Sequence, residues 1–333
     1  MSDHKSHKNR STNKNPRTKI SGVKPARTRT TGGKHEKSRT AQGKHEKSRT
    51  TDEKQTPAKG PQARYDRRNV SRKKYTSEVS KLNKETPEKI RLNKYIAHAG
   101  ICSRRDADTF ISSGNVKVNG NTCTELGVLV SPNDRVTVNG QTIEPEPFVY
   151  FLMNKPRDTI TTTSDEKGRK TVMDLIEHAT GLRVYPVGRL DRNTTGLILL
   201  TNDGDLANRL MHPSYKVRKV YEVEIDREIT DDELRQFRTG IPLDDGPVRA
   251  YRASRHPEHR KTVTLSMHEG RNRVVRRMFE AIGADVVKLD RVIYGPLQKK
   301  GLRIGRWRKL RNHEINELRK MVQLLPMEHL GHR

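Results

Sequence analysis

The chain has 333 residues, and its 68 Lys and Arg against 40 Asp and Glu leave a formal charge of +28, with only 31% hydrophobic residues. That length allows two folded units, and the charge points to a polyanion as partner. No apolar run approaches the roughly 20 residues needed to span a bilayer, and the basic N-terminus is not followed by the apolar stretch of a secretory signal. Two cysteines, Cys102 and Cys123, stand in unrelated contexts. They exclude a disulfide framework and a cysteine-based zinc site, and they fit a reducing cytoplasm. Nucleic acid in the cytosol is the expected partner.

Residues 1–87 read as a disordered, basic, low-complexity tail. The first 90 residues hold 26 Lys and Arg against 9 Asp and Glu, the first Leu is Leu82 and the first Phe is Phe110. Burial of so few large apolar groups cannot offset the entropy of ordering the backbone. Gly33-Lys-His-Glu-Lys-Ser-Arg-Thr40 recurs unchanged as Gly43-Lys-His-Glu-Lys-Ser-Arg-Thr50. Ten residues are too few for a solenoid unit. Lys and Arg spaced by Ser, Thr and Gly would neutralise phosphates without reading sequence. His35 and His45 within the repeats read as solvated imidazoles.

Order is expected from about Ile90. Leu92, Tyr95, Ile96 and Ala99 share a helical face that Gly100 ends. Ser103 starts a second helix, with Asp106 three residues on; Ala107, Phe110 and Ile111 face inward, and Gly114 stops it. Short strands follow, with Asn119-Gly120 and Asn139-Gly140 as hairpin turns. Lys94, Arg104 and Arg105 fall on the polar faces. Arg91-Leu-Asn-Lys-Tyr-Ile-Ala-His-Ala-Gly-Ile-Cys-Ser-Arg-Arg105, followed by Gly114-Asn-Val-Lys-Val-Asn-Gly120, resembles the small RNA-binding module named after ribosomal small-subunit protein four. That likeness implies that the paired helices present these basic side chains to structured RNA. The module and its stiff linker, Glu144-Pro-Glu-Pro147, occupy residues 88–147.

A second folded unit is expected over 148–326, with 327–333 as a C-terminal tail. Strands are predicted from Val149 to Met153, Val184 to Val187, Leu197 to Leu200, Val220 to Ile225, around Val248–Tyr251 and Val263–Met267, and from Val286 to Ile293. Helices are predicted around Val172, Leu175 and Ile176, from Asp205 to Met211, after the capping pair Thr230 and Glu233, from Val274 to Ile282, and from Ile315 to Leu325. Strands and helices mix without regular alternation, so the fold class is α+β.

Between the second and third of those strands lies a polar loop, Arg189-Leu-Asp-Arg-Asn-Thr-Thr195, with one carboxylate among two guanidiniums. A loop held between buried strands can present chemistry, although a solvated surface turn would look the same. Arg271, Arg273, Arg276 and Arg277 crowd the start of one helix, where guanidiniums can hold a carboxylate or phosphate. Tyr221 could stack on a base or serve as a core residue. No glycine-rich phosphate loop, His-Glu-x-x-His spacing or serine elbow appears. Asp191, Asp203 and Asp205 could share a magnesium ion as in nucleases, but Asp203 and Asp205 sit where acids cap helices.

Gly188-Arg-Leu-Asp-Arg-Asn-Thr-Thr-Gly-Leu-Ile-Leu-Leu-Thr-Asn-Asp-Gly204 resembles the central motif of the RsuA/RluB family of ribosomal RNA pseudouridine synthases. Lys219-Val-Tyr221, Glu269-Gly-Arg-Asn-Arg-Val-Val-Arg-Arg-Met278 and Leu289-Asp-Arg-Val-Ile-Tyr-Gly-Pro296 match its further motifs. One departure is Val274, where the family often has Gln. The resemblance implies a mostly antiparallel mixed sheet and isomerisation of a uridine flipped out of an RNA stem-loop. By that likeness Asp191 is the essential carboxylate, Tyr221 stacks on the uracil and assists proton removal from carbon five, and Arg276 holds Asp191 ionised and aimed. Arg189, Arg192, Arg273 and Arg277 become RNA contacts. No cofactor or metal is implied. The expected partners are ribosomal RNA, with a lean to the large subunit, and pre-ribosomal particles; the protein is expected to be a cytoplasmic monomer. A non-catalytic ribosome-assembly factor, small-subunit 16S RNA as the target, and a metal-dependent nuclease are the competing readings.

Overall fold

The computed structural model describes residues 89–329; the expected tail with its repeat, His35 and His45 lies outside the described residues. A short strand, β1 (Ile90–Arg91), runs straight into α1 (Leu92–His98), which buries Leu92, Tyr95 and Ile96. Helix α2 (Arg104–Ser112) starts with a full capping box: the Ser103 hydroxyl accepts from the Asp106 N–H, and the Asp106 carboxylate accepts from the Ser103 N–H. This satisfies two N–H groups that a helix start leaves unpaired. The strands β2 (Val116–Val118), β3 (Asn121–Cys123), β4 (Leu129–Val130), β5 (Val136–Val138) and β6 (Gln141–Ile143) follow. β3-β2-β5-β6 form one antiparallel sheet, and β4 pairs with β1. Both Asn-Gly turns close hairpins as expected, with Asn119 and Asn139 left-handed at φ 52° and 49°, the backbone that two-residue hairpins require. Leu92, Ile96, Ala107, Ile111 and Val116 are at most 1% exposed and form the core of this small module.

Past the linker, β7 (Tyr150–Lys155) is buried along its whole length. β8 (Tyr185–Pro186), β9 (Thr195–Thr201), α3 (Gly204–Met211), β10 (Lys219–Ile225), α4 (Asp231–Thr239), β11 (Arg252–Arg255), β12 (Thr262–Met267), α5 (Val274–Glu280), β13 (Val286–Tyr294), β14 (Leu297–Gln298), β15 (Trp307–Lys309) and α6 (Asn312–Met321) complete the described chain. The main sheet has the order β11-β12-β10-β13-β9-β7-β15, with β8 and β14 paired alongside. All its named pairings are antiparallel except β9–β13, so the mixed, mostly antiparallel α+β expectation holds. Alternation gives the sheet two apolar faces. Phe151, Met153, Ile198, Leu200, Tyr221 and Val223 face the layer that contains α4 and α5. Tyr150, Leu152, Leu197 and Leu199 face the layer that contains α3 and α6.

Several expectations are corrected. The segment around Val172–Ile176 is not a helix but a series of turns ending in a 3-10 turn at Glu177–Ala179. There the Thr171 hydroxyl accepts from the N–H groups of Met173 and Asp174, and the Asp174 carboxylate accepts from the Thr171 N–H. Such side-chain bonds compete with helical ones, while Val172 and Ile176 are still buried. The strand expected around Val248–Tyr251 lies at Arg252–Arg255, because Val248 bridges to Ile241 and the Ala250 N–H is drawn to the Phe237 carbonyl. The closing helix ends at Met321, as Gln323 turns left-handed and the Leu324 N–H returns to the Arg319 carbonyl. Within the expected C-terminal tail, Met327–His329 forms a 3-10 turn, with the Met327 N–H donating to Asn316 Oδ1.

Asp203 joins several of these elements. It caps α3 by accepting from the Leu206 N–H, accepts from the Tyr150 hydroxyl at 2.8 Å, and pairs with Arg319 of α6 at 2.6 Å. Both charged side chains are at most 5% exposed. Arg319→Met would leave a buried carboxylate without its counter-charge, so we expect a loss of about 3–5 kcal/mol, read from urea unfolding. Adding Asp203→Asn should restore part of that loss.

Candidate active site

The polar loop after β8 is fastened from below and behind. Leu190 is buried, and its N–H and carbonyl both bond to the Thr161 hydroxyl, at 3.2 and 2.9 Å. The Arg192 carbonyl accepts from Lys155 Nζ at 3.1 Å, and the Thr194 N–H closes a turn onto the Asp191 carbonyl at 3.0 Å. β9 then leaves at Gly196, whose φ of 109° and contact with β13 admit no side chain: a Cβ there would stand 2.3 Å from the Arg291 carbonyl oxygen. The loop thus holds its one carboxylate on a fixed backbone.

The Asp191 side chain is 31% exposed and meets two guanidiniums from α5 and its entry, Arg276 Nε at 3.5 Å and Arg273 Nη1 at 3.8 Å, both on Oδ2. Its carboxylate accepts no hydrogen bond among the described residues, which leaves its lone pairs free for a ligand. The Arg276 side chain is only 12% exposed, and its Nη1 donates to the Val286 carbonyl. Burial pulls its pKa below the ordinary value, with Asp191 the first opposing influence; an arginine remains charged in any case. Arg273 is left-handed at φ 45°, which costs a residue with a side chain about 1–2 kcal/mol. It also lies 3.6 Å from Glu280. Tyr221 is 8% exposed and belongs to the apolar layer that includes Leu190, Val274 and Val275. The sheet face that carries Tyr221 is therefore the one against which the Asp191 loop and α5 pack. Val274 is buried in that layer, so this chain has an apolar contact where a glutamine would need a polar partner.

Two lysines stand out that sequence reasoning leaves as strand ends. Lys155 is fully buried, and its Nζ donates to the carbonyls of Pro156, Thr159 and Arg192. Three carbonyls match the three N–H bonds of an ammonium. Burial lowers its pKa to about 8, opposed by Asp191 and Asp158. Lys219 donates to the carbonyls of Val217 and His268, and burial, then Arg291, lower it to about 8 as well. A lysine inside a strand does not announce that it is caged by carbonyls; Asn154-Lys155-Pro156 is the only local hint.

The other predicted RNA contacts divide. Arg189 is exposed, and Arg192, also exposed, lies 3.3 Å from Asp158 rather than against Asp191. Arg104 and Arg105 are exposed on α2, with Arg104 donating to Asn93. Lys94 is paired to Asp205 of α3 at 2.7 Å, and close by His98 stacks on Phe148 at 4.5 Å. Arg277 is held by both oxygens of Asp245, as is the neighbouring Arg271 by one of them. That is a structural clamp on the loop before β11. Among the described residues no three His, Cys, Asp or Glu side chains converge as a metal site; Asp203 and Asp205 are engaged with Arg319 and Lys94.

A partly exposed carboxylate aimed by guanidiniums, on a mixed sheet whose same face carries Tyr221 and which follows a small RNA-binding module, is the arrangement of an RNA-modifying isomerase. The chain belongs to the RNA pseudouridylate synthase family, which it matches over residues 149–281, with an S4 domain over residues 90–136. It is 47% identical over 236 residues to the ribosomal large subunit pseudouridine synthase B of Bacillus subtilis (strain 168), covering 70% of this chain and 96% of that protein. It is 39% identical over 237 residues to the dual-specificity RNA pseudouridine synthase RluF of Escherichia coli (strain K12), covering 70% and 80% of the two chains. A solved pseudouridylate synthase, 30% identical, aligns with a TM-score of 0.50 over 69% of this chain and 99% of that one.

Lys155 yields a prediction with a definite sign. Its folded pKa of about 8 lies below the ordinary 10.5, so the unfolded chain holds the extra proton between those values and stability rises with pH across that window. Between pH 7.5 and 9.5 each such lysine should contribute a rise of about 1–2 kcal/mol. Urea unfolding of Lys155→Met should show a smaller rise than the unsubstituted protein, together with lower activity from the loosened Arg192 backbone.

Proposed function

We propose that this protein converts one uridine of large-subunit (23S) ribosomal RNA to pseudouridine, with Asp191 as the essential carboxylate. The observation that carries the reading is the meeting of Asp191 with Arg276 at 3.5 Å on the sheet face that holds Tyr221. The reaction breaks the bond from ribose carbon one to ring nitrogen one and forms a bond from the same carbon to ring carbon five. The proton on carbon five leaves, and nitrogen one takes one up. Nothing is oxidised and no group is exchanged with a second molecule, so a carboxylate, a fixed counter-charge and an aromatic wall suffice. Asp191 acts at the reacting nucleoside, Arg276 positions it, and Tyr221 walls the uracil and assists the proton transfer.

The uridine has to leave its stack to reach Asp191, and exposed Arg104, Arg105, Arg189 and Arg192 supply phosphate contacts around it. The large-subunit target is supported by the Bacillus subtilis relative. The working substrate is a stem-loop of that RNA, free or within a pre-ribosomal particle, met in the cytoplasm by a monomer. The division of labour follows 88–147 as the RNA-binding module with its linker and 148–326 as the catalytic unit.

Asp191→Asn should abolish pseudouridine formation in 23S RNA while leaving RNA affinity within about threefold, since one buried-edge carboxylate contributes little to a phosphate-dominated affinity. Pseudouridine made by that variant at the same position would sink the assignment; a strand break in the RNA would favour a nuclease. Deletion of residues 1–87, a segment rich in Lys and Arg, should weaken RNA binding and flatten its salt dependence, with the modified position unchanged. An unaltered salt slope would count against a role for the tail in affinity.

A further inference from the structure

Tyr251 is 63% exposed, the most exposed of the aromatic residues among the described large hydrophobics. A single exposed aromatic needs no explanation, but this one is built in. Its N–H donates to the Ser266 carbonyl at 2.8 Å, and its ring stands edge-on to the His268 ring at 5.4 Å and 66°. His268 is fixed in turn: its Nδ1 meets the Lys216 carbonyl at 2.5 Å. A carbonyl can only accept, so Nδ1 carries a proton and the ring is held in one orientation.

Four cations adjoin the pair along the chain. Lys216 and Arg218 lie on the strand entry that holds His268, and Arg249 and Arg252 flank Tyr251. All four are exposed, and none makes an ion pair among the described residues. The segments 213–218, 249–255 and 265–268 contain no Asp or Glu. The patch is also tied to the strand that carries Tyr221. Lys219 Nζ donates to the His268 carbonyl, two residues along β10 from Tyr221. Arg273, which meets Asp191, lies five residues beyond His268. Five residues span at most about 17 Å, the length of roughly five stacked nucleotides at ~3.4 Å each.

We infer that the Tyr251–His268 pair, with its four cations, is a stacking site for an unpaired base of the RNA strand flanking the target uridine. Aromatic faces bind any base through stacking, and free cations beside them hold the backbone; that combination is the usual chemistry of single-stranded RNA sites. The one carboxylate adjoining the pair, Glu269, is taken up by Arg271 at 2.9 Å, so the four cations are left for phosphates. The inference rests on the RNA-modifying reading of the family site and adds a second point of contact to it.

The test uses the full chain and unmodified, in vitro transcribed 23S RNA at fixed salt. Tyr251→Ala should weaken binding about tenfold or more, in line with the loss of one base–aromatic stack. Tyr251→Phe and Tyr251→Trp should bind within about threefold of the unsubstituted protein, because the face is kept. Thermal unfolding of Tyr251→Ala should be unchanged, since the ring is exposed. Equal RNA affinity of Tyr251→Ala and the unsubstituted protein overturns the proposal, as does a Tyr251→Phe defect as large as that of Ala. Normal binding to naked RNA with lost binding to ribosomal particles overturns it in favour of a protein contact. If the unsubstituted protein makes no pseudouridine in this RNA but Tyr251→Ala still loses affinity, the target reading falls and the stacking site stands.

Discussion

Two strands that run the same way, β9 and β13, meet at only two register positions, Thr195 with Asp290 and Gly196 with Arg291. The arrangement of the site depends on that short parallel contact. It brings the end of the Asp191 loop against a strand almost one hundred residues later in the chain, and it is possible because Gly196 has no side chain to hold the backbones apart. Thr195 adds a hydroxyl bond to Asp290. The loop's exit is fixed here and its backbone is tied to Thr161 and Lys155, so the Asp191 carboxylate is presented from a held backbone to the guanidiniums of Arg276 and Arg273. With both guanidiniums on one oxygen, Oδ2, the carboxylate keeps its remaining lone pairs unoccupied among the described residues.

The positive charge of the chain is sorted rather than uniform. Arg319, Arg271, Arg277 and Lys94 meet acids and hold elements together, whereas Arg104, Arg105, Arg189, Arg249 and Arg252 stay at the surface without carboxylate partners among the described residues. Lys155 and Lys219 form a third group, buried and bonded to carbonyls. The same residue types thus serve as cross-link, exposed surface charge and backbone clamp. Burial and the nearest oxygen decide which.

Much of this organisation is legible in the amino-acid sequence. Alternation and Asn-Gly turns mark the small sheet, because hairpin turns are a local property; Ser103 with Asp106 and Thr230 with Glu233 mark helix starts for the same reason. The Asp191 loop is visible as a polar interval between buried strands. The features that local patterns miss are decided at longer range or by competing local bonds. Val172, Leu175 and Ile176 have helical spacing, yet the Thr171 hydroxyl takes the backbone N–H groups that a helix would use. β15, Trp307–Lys309, is short and polar, and becomes a strand only because β7 offers it an edge. Arg189 and Arg192 adjoin Asp191 in sequence, but its partners are Arg273 and Arg276 from a helix about eighty residues away.

Chain order turns the buried Asp203–Arg319 pair into a matter of timing. Asp203 is synthesised with β9 and α3, while its counter-charge comes more than a hundred residues later, after β15 has also become available to β7. Domains form as their chain emerges, N-terminal first, at roughly 5–20 residues per second. The S4 module can therefore complete its own core, with Leu92 to Ile143 all present, several seconds before the catalytic sheet can close. During that interval the nascent chain has an RNA-binding surface but no finished active site, so it can be brought to RNA before it is able to modify it.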